Sequence, residues 1–401
     1  MAKSVYTPFS KEDLLPLEEK LEVASKKESS FSIGIPKETH MQEKRVMLTP
    51  DAVSFLICNG HQVIVESGAG NNAHYSDLNY ANAGAKIVYD RKEVFAQQIV
   101  AKIMPPSLEE IELLTPNQYL ISSLQVFTKK KAYFKSLSDK KTTAICFEYI
   151  KDEHNQLPVM RLLSEIAGTT SILIASELLF THNKGNGLLL GGVTGVRPTE
   201  ILIIGAGTAG EYACKAALGL GANVKVFDSS ITKLRRFQDK IGRRISTSII
   251  DPKELRKSLM RCDVAIGAVR SEGRTPVVVS QEMVEKMKPG SIIMDLSICN
   301  GGCFETSEVT THQKPTIVKH QVIHYGVTNI TSIVARTTTK ALSNFFLQYL
   351  NTIAQMGSLK NAILKDYGLK SGIYMYNGHL TKKELGDLFE MPSLDINLLL
   401  L

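Results

Sequence analysis

The sequence predicts an α/β protein built from two doubly wound, mainly parallel sheets. Short apolar runs of strand length alternate with helical stretches from Phe31 to Glu148, the pattern of a parallel sheet with helices on its faces. A second series begins at Ile201, where an apolar run, a glycine turn, a helix, another apolar run and an acid follow in register. The 401 residues are long for one domain and comfortable for two. With 43% hydrophobic and 22% charged residues, the chain is an ordinary globular one that needs neither disulfides nor structural metal for its core.

Residues 1 to about 30 are charged and amphipathic, with Leu14, Leu15, Leu17 and Leu21 among Lys and Glu, and predict an extra N-terminal helix. Phe31–Pro36 is the first expected strand. Thr49-Pro50 starts a helix, with a hydroxyl cap and proline at the first helical position, and Gly60 ends it. Strands are expected at His61–Glu66, Ala85–Tyr89, Ile99–Ile103, Tyr119–Leu124 and Thr143–Glu148. Thr169–Asn183 reads as a long apolar-faced helix linking the domains, and Gly185–Pro198 as a glycine-rich loop. After Ile201–Ile204 and Asn223–Phe227, Asp263–Val269 is expected as the fourth strand of the second sheet and Ser291–Leu296 as the fifth.

Gly205-Ala206-Gly207-Thr208-Ala209-Gly210 is a complete GxGxxG between strand and helix. In this setting Gly205 permits the tight turn, Gly207 lets the backbone approach a pyrophosphate, and Gly210 lets the helix pack close to the strand. Thr208 and Ala209 open the helix whose free N–H groups would meet phosphate. Asp228 closes the next strand, roughly 20 residues on, where a carboxylate accepts from ribose hydroxyls and repels a 2′-phosphate. NAD is therefore expected rather than NADP. Ligands of open parallel sheets lie beyond the C-terminal strand ends, which places Gly267, Ala268 and Val269 beside the cofactor and 297–302 near the nicotinamide.

Ile33–Glu38, Glu43, Arg45-Val46, Thr49-Pro50, Glu66–Gly70, Ser164–Gly168, Gly191–Val193, Ile204–Gly210 and Asn300–Glu305 follow one another in an order that resembles alanine dehydrogenases. The NAD-binding domain of proton-translocating transhydrogenases is similar. The stretch Glu153–Pro158 lacks the transhydrogenase loop, so the alanine dehydrogenase branch is the closer match. The resemblance covers about residues 31–350. It implies a Rossmann NAD-binding domain at 166–333, inserted in a discontinuous substrate domain at 31–165 and 334–401. It also implies reversible oxidative deamination of a small amino acid to its 2-oxo acid (alanine to pyruvate) in a homo-hexamer.

Carried over residue by residue, the resemblance makes Arg45 the grip on the substrate carboxylate, where a guanidinium binds bidentately. Asn300 is placed with the substrate and Ser164 with the cofactor. The family's lysine position holds Met104, its histidine position Gln125 and its aspartate position Cys299. Candidates for the catalytic work are then Gln125 and Cys299 themselves and Lys102, two residues before Met104 and on the same side of a strand. His320 and His324 are further candidates, although ordinary histidines, and for Lys102 an ordinary surface lysine, explain them more readily. His40 and Glu43 read as polar loop residues. Two alternatives stand beside a working dehydrogenase: an NAD-binding relative with impaired catalysis and a regulatory role, and a transhydrogenase NAD-binding subunit.

Other classes are disfavoured. Cys58, Cys146, Cys214, Cys262, Cys299 and Cys303 have no zinc-type spacing and read as reduced thiols of a cytoplasmic protein. No apolar N-terminal leader is present, and no uninterrupted apolar run reaches bilayer length, so no membrane partner is expected. The net charge of +7 owes much to Lys129, Lys130, Lys131, Lys135, Lys140 and Lys141, read as a solvated helix face rather than a nucleic-acid site.

Overall fold

The computed structural model describes residues 30–271, 273–356 and 358–400. The expected N-terminal helix lies outside the described residues. Fifteen described strands form two sheets.

The first sheet contains β1 Ser32–Ile35, β2 Gln62–Glu66, β3 Lys86–Val88, β4 Ile99–Ala101, β5 Tyr119–Ser122 and β6 Thr143–Cys146. Its order is β3-β2-β1-β4-β5-β6, extended at the β6 edge by β14 Ile373–Tyr376 and β15 His379–Leu380. The first six strands are parallel, whereas β14 joins antiparallel. The second sheet contains β7 Glu200–Ile204, β8 Asn223–Asp228, β9 Ser246–Ile249, β10 Val264–Gly267, β11 Ile292–Asp295, β12 Thr316–Lys319 and β13 Val322–Tyr325. It runs β9-β8-β7-β10-β11-β13-β12, parallel except for the β12–β13 hairpin. Both sheets thus reverse direction once, at β1/β4 and at β7/β10, and a doubly wound sheet opens its ligand crevice at that reversal.

The central strands form because both their faces are covered. Ile201, Leu202, Ile203 and Ile204, with Val264, Ala265 and Ile266 beside them, are all buried, which requires near-continuous apolar runs. The expected helix after Thr49 spans Pro50–Cys58, with the Thr49 hydroxyl accepting from the Ala52 amide.

The linking helix departs from expectation. It spans Pro158–Leu178, starting eleven residues earlier than read, with proline at its first turn. Ser164 and Thr169, polar interruptions in the sequence, donate their hydroxyls to the carbonyls of Met160 and Glu165 one turn back and so fit the helix interior. By length and composition this 21-residue helix is apolar enough to cross a bilayer, which the fragmentary reading of it had hidden. It packs instead against the helix Thr208–Gly219, where a Cβ on Gly168 would strike the Ala209 carbonyl. A second long helix, Ala335–Gln355, returns the chain to the first sheet.

Candidate functional site

The second crevice is made of backbone. Gly205 has φ +114°, and a side chain there would collide with the Ala268 carbonyl, so glycine is required for the turn. Gly207 is different: a Cβ at that position would meet nothing within 4 Å. The helix Thr208–Gly219 has no side-chain cap at its N-terminus. Open space over Gly207 and uncapped amides at Thr208 and Ala209 fit an incoming diphosphate.

Asp228 is buried, with one oxygen accepting from the Ala206 amide and the other from Ser230, each at 2.8 Å. These bonds lock the glycine loop to the end of β8 and leave carboxylate lone pairs for further donors. Gly267 lies under Cys303 and Phe304, the Ala268 amide donates to the Ile204 carbonyl, and Val269 exchanges hydrogen bonds with the Ser297 hydroxyl. Ser164 is half-buried in the linking helix.

The first crevice is made of charged side chains. Arg45 is buried and its Nε and one terminal nitrogen bind Glu43 at 2.7 and 2.6 Å, while the other terminal nitrogen donates to Thr331 at 2.9 Å. Three of the five guanidinium donors are thus occupied, leaving one on each terminal nitrogen as a fork for a carboxylate. Reading Glu43 as a mere loop residue is corrected here: only 2% exposed, it also accepts from the Asn329 amide, and although burial works against its charge, the Arg45 guanidinium prevails and holds its carboxyl below the ordinary value. Sequence order hides this brace because Thr331 and Asn329 arrive from the second domain.

Lys102 is buried, paired with Glu110 at 2.7 Å and standing 3.6 Å from Glu38. Met104 lies against Gln125, whose amide nitrogen is 3.3 Å from the thioether sulfur. Two positions distant in sequence, both departures from the family pattern, therefore touch. Gln125 has φ +49°, and Glu148 accepts from the Leu124 amide beside it.

Cys299 and Asn300 lie on the short 3-10 turn Ile298–Asn300. Cys299 is exposed as a residue, while desolvation of its sulfur raises the thiol above the ordinary value, so it stays neutral at neutral pH. The Asn300 carbonyl accepts from Thr275. Asp295, passed over in the sequence, holds this loop: its carboxylate accepts the amides of Ser297, Cys303 and Phe304. An acid closing a buried strand is the signal that located Asp228, and it applied here too.

The two histidine candidates after the fifth strand are corrected. His324 is buried within β13, bonded to Thr306 at 2.8 Å and to the Val322 carbonyl, and desolvation lowers it to about 4. His320 occupies the β12–β13 turn, at the N-terminal end of β13 and so at the opposite end of the sheet from the crevice. Among the described residues no cluster of three metal-binding side chains occurs.

Two Rossmann-type sheets, one presenting glycine-loop amides and the other a braced arginine, define a two-domain dinucleotide-binding enzyme fold. The chain belongs to the alanine dehydrogenase/PNT family: the N-terminal domain model matches residues 34–167 and the C-terminal domain model residues 171–383. It is 37% identical over 363 residues to alanine dehydrogenase 2 of Staphylococcus aureus (strain USA300), covering 90% of this chain and 97% of that one. It is 38% identical over 363 residues to alanine dehydrogenase of Methanococcus maripaludis, with the same shares. A solved L-alanine dehydrogenase superposes with TM-score 0.85 at 35% identity, over 90% of this chain and 99% of that chain. Transhydrogenase from Sinorhizobium meliloti shares the fold, with TM-score 0.75 at 20% identity over 88% and 99% of the two chains.

Proposed function

We propose that this protein is an NAD-dependent oxidoreductase of the alanine dehydrogenase type, interconverting a small L-amino acid and its 2-oxo acid, with alanine and pyruvate the first pair to test. Arg45 carries this proposal. A guanidinium buried between two domains, braced by Glu43 and still offering two donors, suits a small carboxylate. Bound NAD would supply the hydride acceptor. The diphosphate would rest on Gly205–Gly210 and the ribose on Asp228, with Gly267, Ala268, Val269 and Ser164 lining the cofactor and Asn300 the substrate. We also propose the domain limits 31–165 with 334–401 for substrate and 166–333 for NAD, a homo-oligomer, and a cytoplasmic location consistent with six free thiols.

A second, non-catalytic reading is favoured by one observation. Met104 and Gln125 fill each other's space without a proton carrier, and Cys299 is a neutral thiol. Losing a general acid–base group typically costs about 10²–10⁴-fold in rate. Purified protein mixed with NADH, ammonium and a panel of 2-oxo acids separates the two, with absorbance of the reduced nicotinamide followed over time. Turnover on pyruvate or a close homologue supports the dehydrogenase. NADH binding with no turnover on any acid supports the regulatory reading, and the triple variant M104K/Q125H/C299D then restores turnover.

A further inference from the structure

One buried titratable side chain in the first crevice has an incomplete set of partners. Glu38 stands just past the end of β1, at the strand reversal, and its Oε1 accepts the amides of Ile103 at 2.5 Å and Met104 at 3.3 Å. Its Oε2 is buried and accepts no hydrogen bond, although Lys102 Nζ stands 3.6 Å away. The geometry of Lys102 explains the imbalance. Its ammonium is drawn to Glu110 at 2.7 Å, and Glu110 also takes Arg91 at 2.7 Å. Glu110 receives two close cations and Glu38 a distant share of one.

The charges around Glu38 come from every neighbouring element. Lys102 follows β4, Glu110 lies on the helix Leu108–Leu113, and Glu43, with Arg45 bound to it, lies on the loop after β1. Lys129 is close enough to Lys102 and Glu110 to feel their charges. Burial, reinforced by Glu43 and Glu110 and opposed by Lys102, raises the Glu38 carboxyl to about 7. Glu43 is firmly ionised, and the Cys299 thiol is pushed up and stays protonated. Met104 and Gln125 have no proton to exchange near neutrality. A carboxyl present in both protonation states at working pH is what acid–base catalysis needs.

We propose that Glu38 is the acid–base group of this cleft and that Lys102 is its positioning cation. This rests on the dehydrogenase reading above. In the deamination direction an N–H bond of the substrate ammonium breaks and its electron pair stays on nitrogen. The proton forms an O–H bond with Glu38 Oε2 and passes to solvent before the next turnover; amination runs the same transfer backwards. Lys102, which the sequence put forward as a replacement for the missing catalytic groups, acts here through its charge, which favours the carboxylate form of Glu38.

The pH dependence of kcat/KM for pyruvate amination tests this, with NADH affinity measured in parallel as the control for folding. Wild-type protein is expected to show an ionisation near 7. E38Q is expected to lose about 10²–10⁴-fold in rate together with that ionisation, while its NADH Kd is unchanged. E38D recovers part of the rate. K102M moves the ionisation to higher pH, because removing the cation favours the protonated carboxyl. Wild-type turnover with E38Q within twofold of it and the same pH profile overturns the role of Glu38 alone. Wild-type protein that binds NADH and turns over no acid overturns the dehydrogenase reading, and this role with it.

Discussion

The two crevices share a topology and are filled in opposite ways. At β7/β10 the ligand groups are amides, glycines and one strand-end acid, all within Ile201–Asp228 except the Gly267–Val269 edge. At β1/β4 they are long charged side chains: Glu38, Glu43, Arg45, Lys102 and Glu110, supplemented by Asn329 and Thr331 from the other domain. A backbone site is stable while empty, because its donors cost little to preorganise and need no counter-charge. A site of buried charges must balance itself, since an unpaired buried ion costs several kcal/mol. The arginine, lysine and carboxylates of the first crevice therefore bind one another, and substitutions there reach stability as well as ligand affinity.

The largest effect expected from this contrast is at Arg45. R45A leaves the buried Glu43 carboxylate without its cation, an expected loss of about 3–5 kcal/mol, read as a lowered urea midpoint together with lost carboxylate-ligand affinity. A wild-type midpoint for R45A would mean that the brace between Glu43 and Arg45 is unimportant.

Two glycines of one motif sharpen the comparison. G207V is expected to keep the wild-type melting temperature, because its Cβ enters open space, while weakening NADH by about tenfold or more, about 1.4 kcal/mol per decade. G205A, with its Cβ aimed at the Ala268 carbonyl and φ at +114°, is expected to lower the melting temperature itself. Equal melting temperatures for the two variants would remove the distinction between cradle and turn.

Smaller is the effect of D228A, which removes the acceptors of two amides and the proposed ribose contact. About tenfold weaker NAD and a narrower margin over NADP are expected by titration calorimetry, a charged hydrogen bond being worth about 1.5–3 kcal/mol. An unchanged preference would take Asp228 out of the ribose role.

Last come two pH effects of opposite sign, each spread over more than two pH units. Glu38 is raised to about 7 from the ordinary 4.5, so the folded state holds its proton more tightly, and that contribution is lost as pH rises from about 4.5 through 7. His324 is lowered to about 4 from 6.5, so its contribution is full above about 6.5 and is lost as pH falls toward 4. Melting curves from pH 4 to 8 should show E38Q gaining on wild type as pH rises and H324Q gaining as pH falls. Parallel curves for either variant would remove that group from the balance.

The hairpins show how much of the fold was open to reading. Asn377-Gly378 joins β14 to β15 with φ of +46° and +83°, the residue pair that a tight hairpin turn prefers, so this edge was readable though passed over. The β12–β13 turn adopts similar angles, +50° and +62°, with His320 and Gln321, which carry no such signature. Strand β9 was also missed, because Ser246–Ile249 is a largely exposed polar edge without an apolar run.

Sequence alone determined the two doubly wound sheets, the glycine loop and the acid Asp228 at the end of the next strand, because each depends on local periodicity, backbone freedom or spacing within one unit; Arg45 was reached only through the family resemblance. Tertiary structure alone decided that Glu43 braces Arg45, that Met104 meets Gln125, that Asp295 holds the Cys299 loop and that Lys102 is divided unequally between Glu110 and Glu38. Those relations join separate strand ends and separate domains, and the protonation of a buried carboxyl is set by how far its cation stands, a distance that no spacing in the chain records.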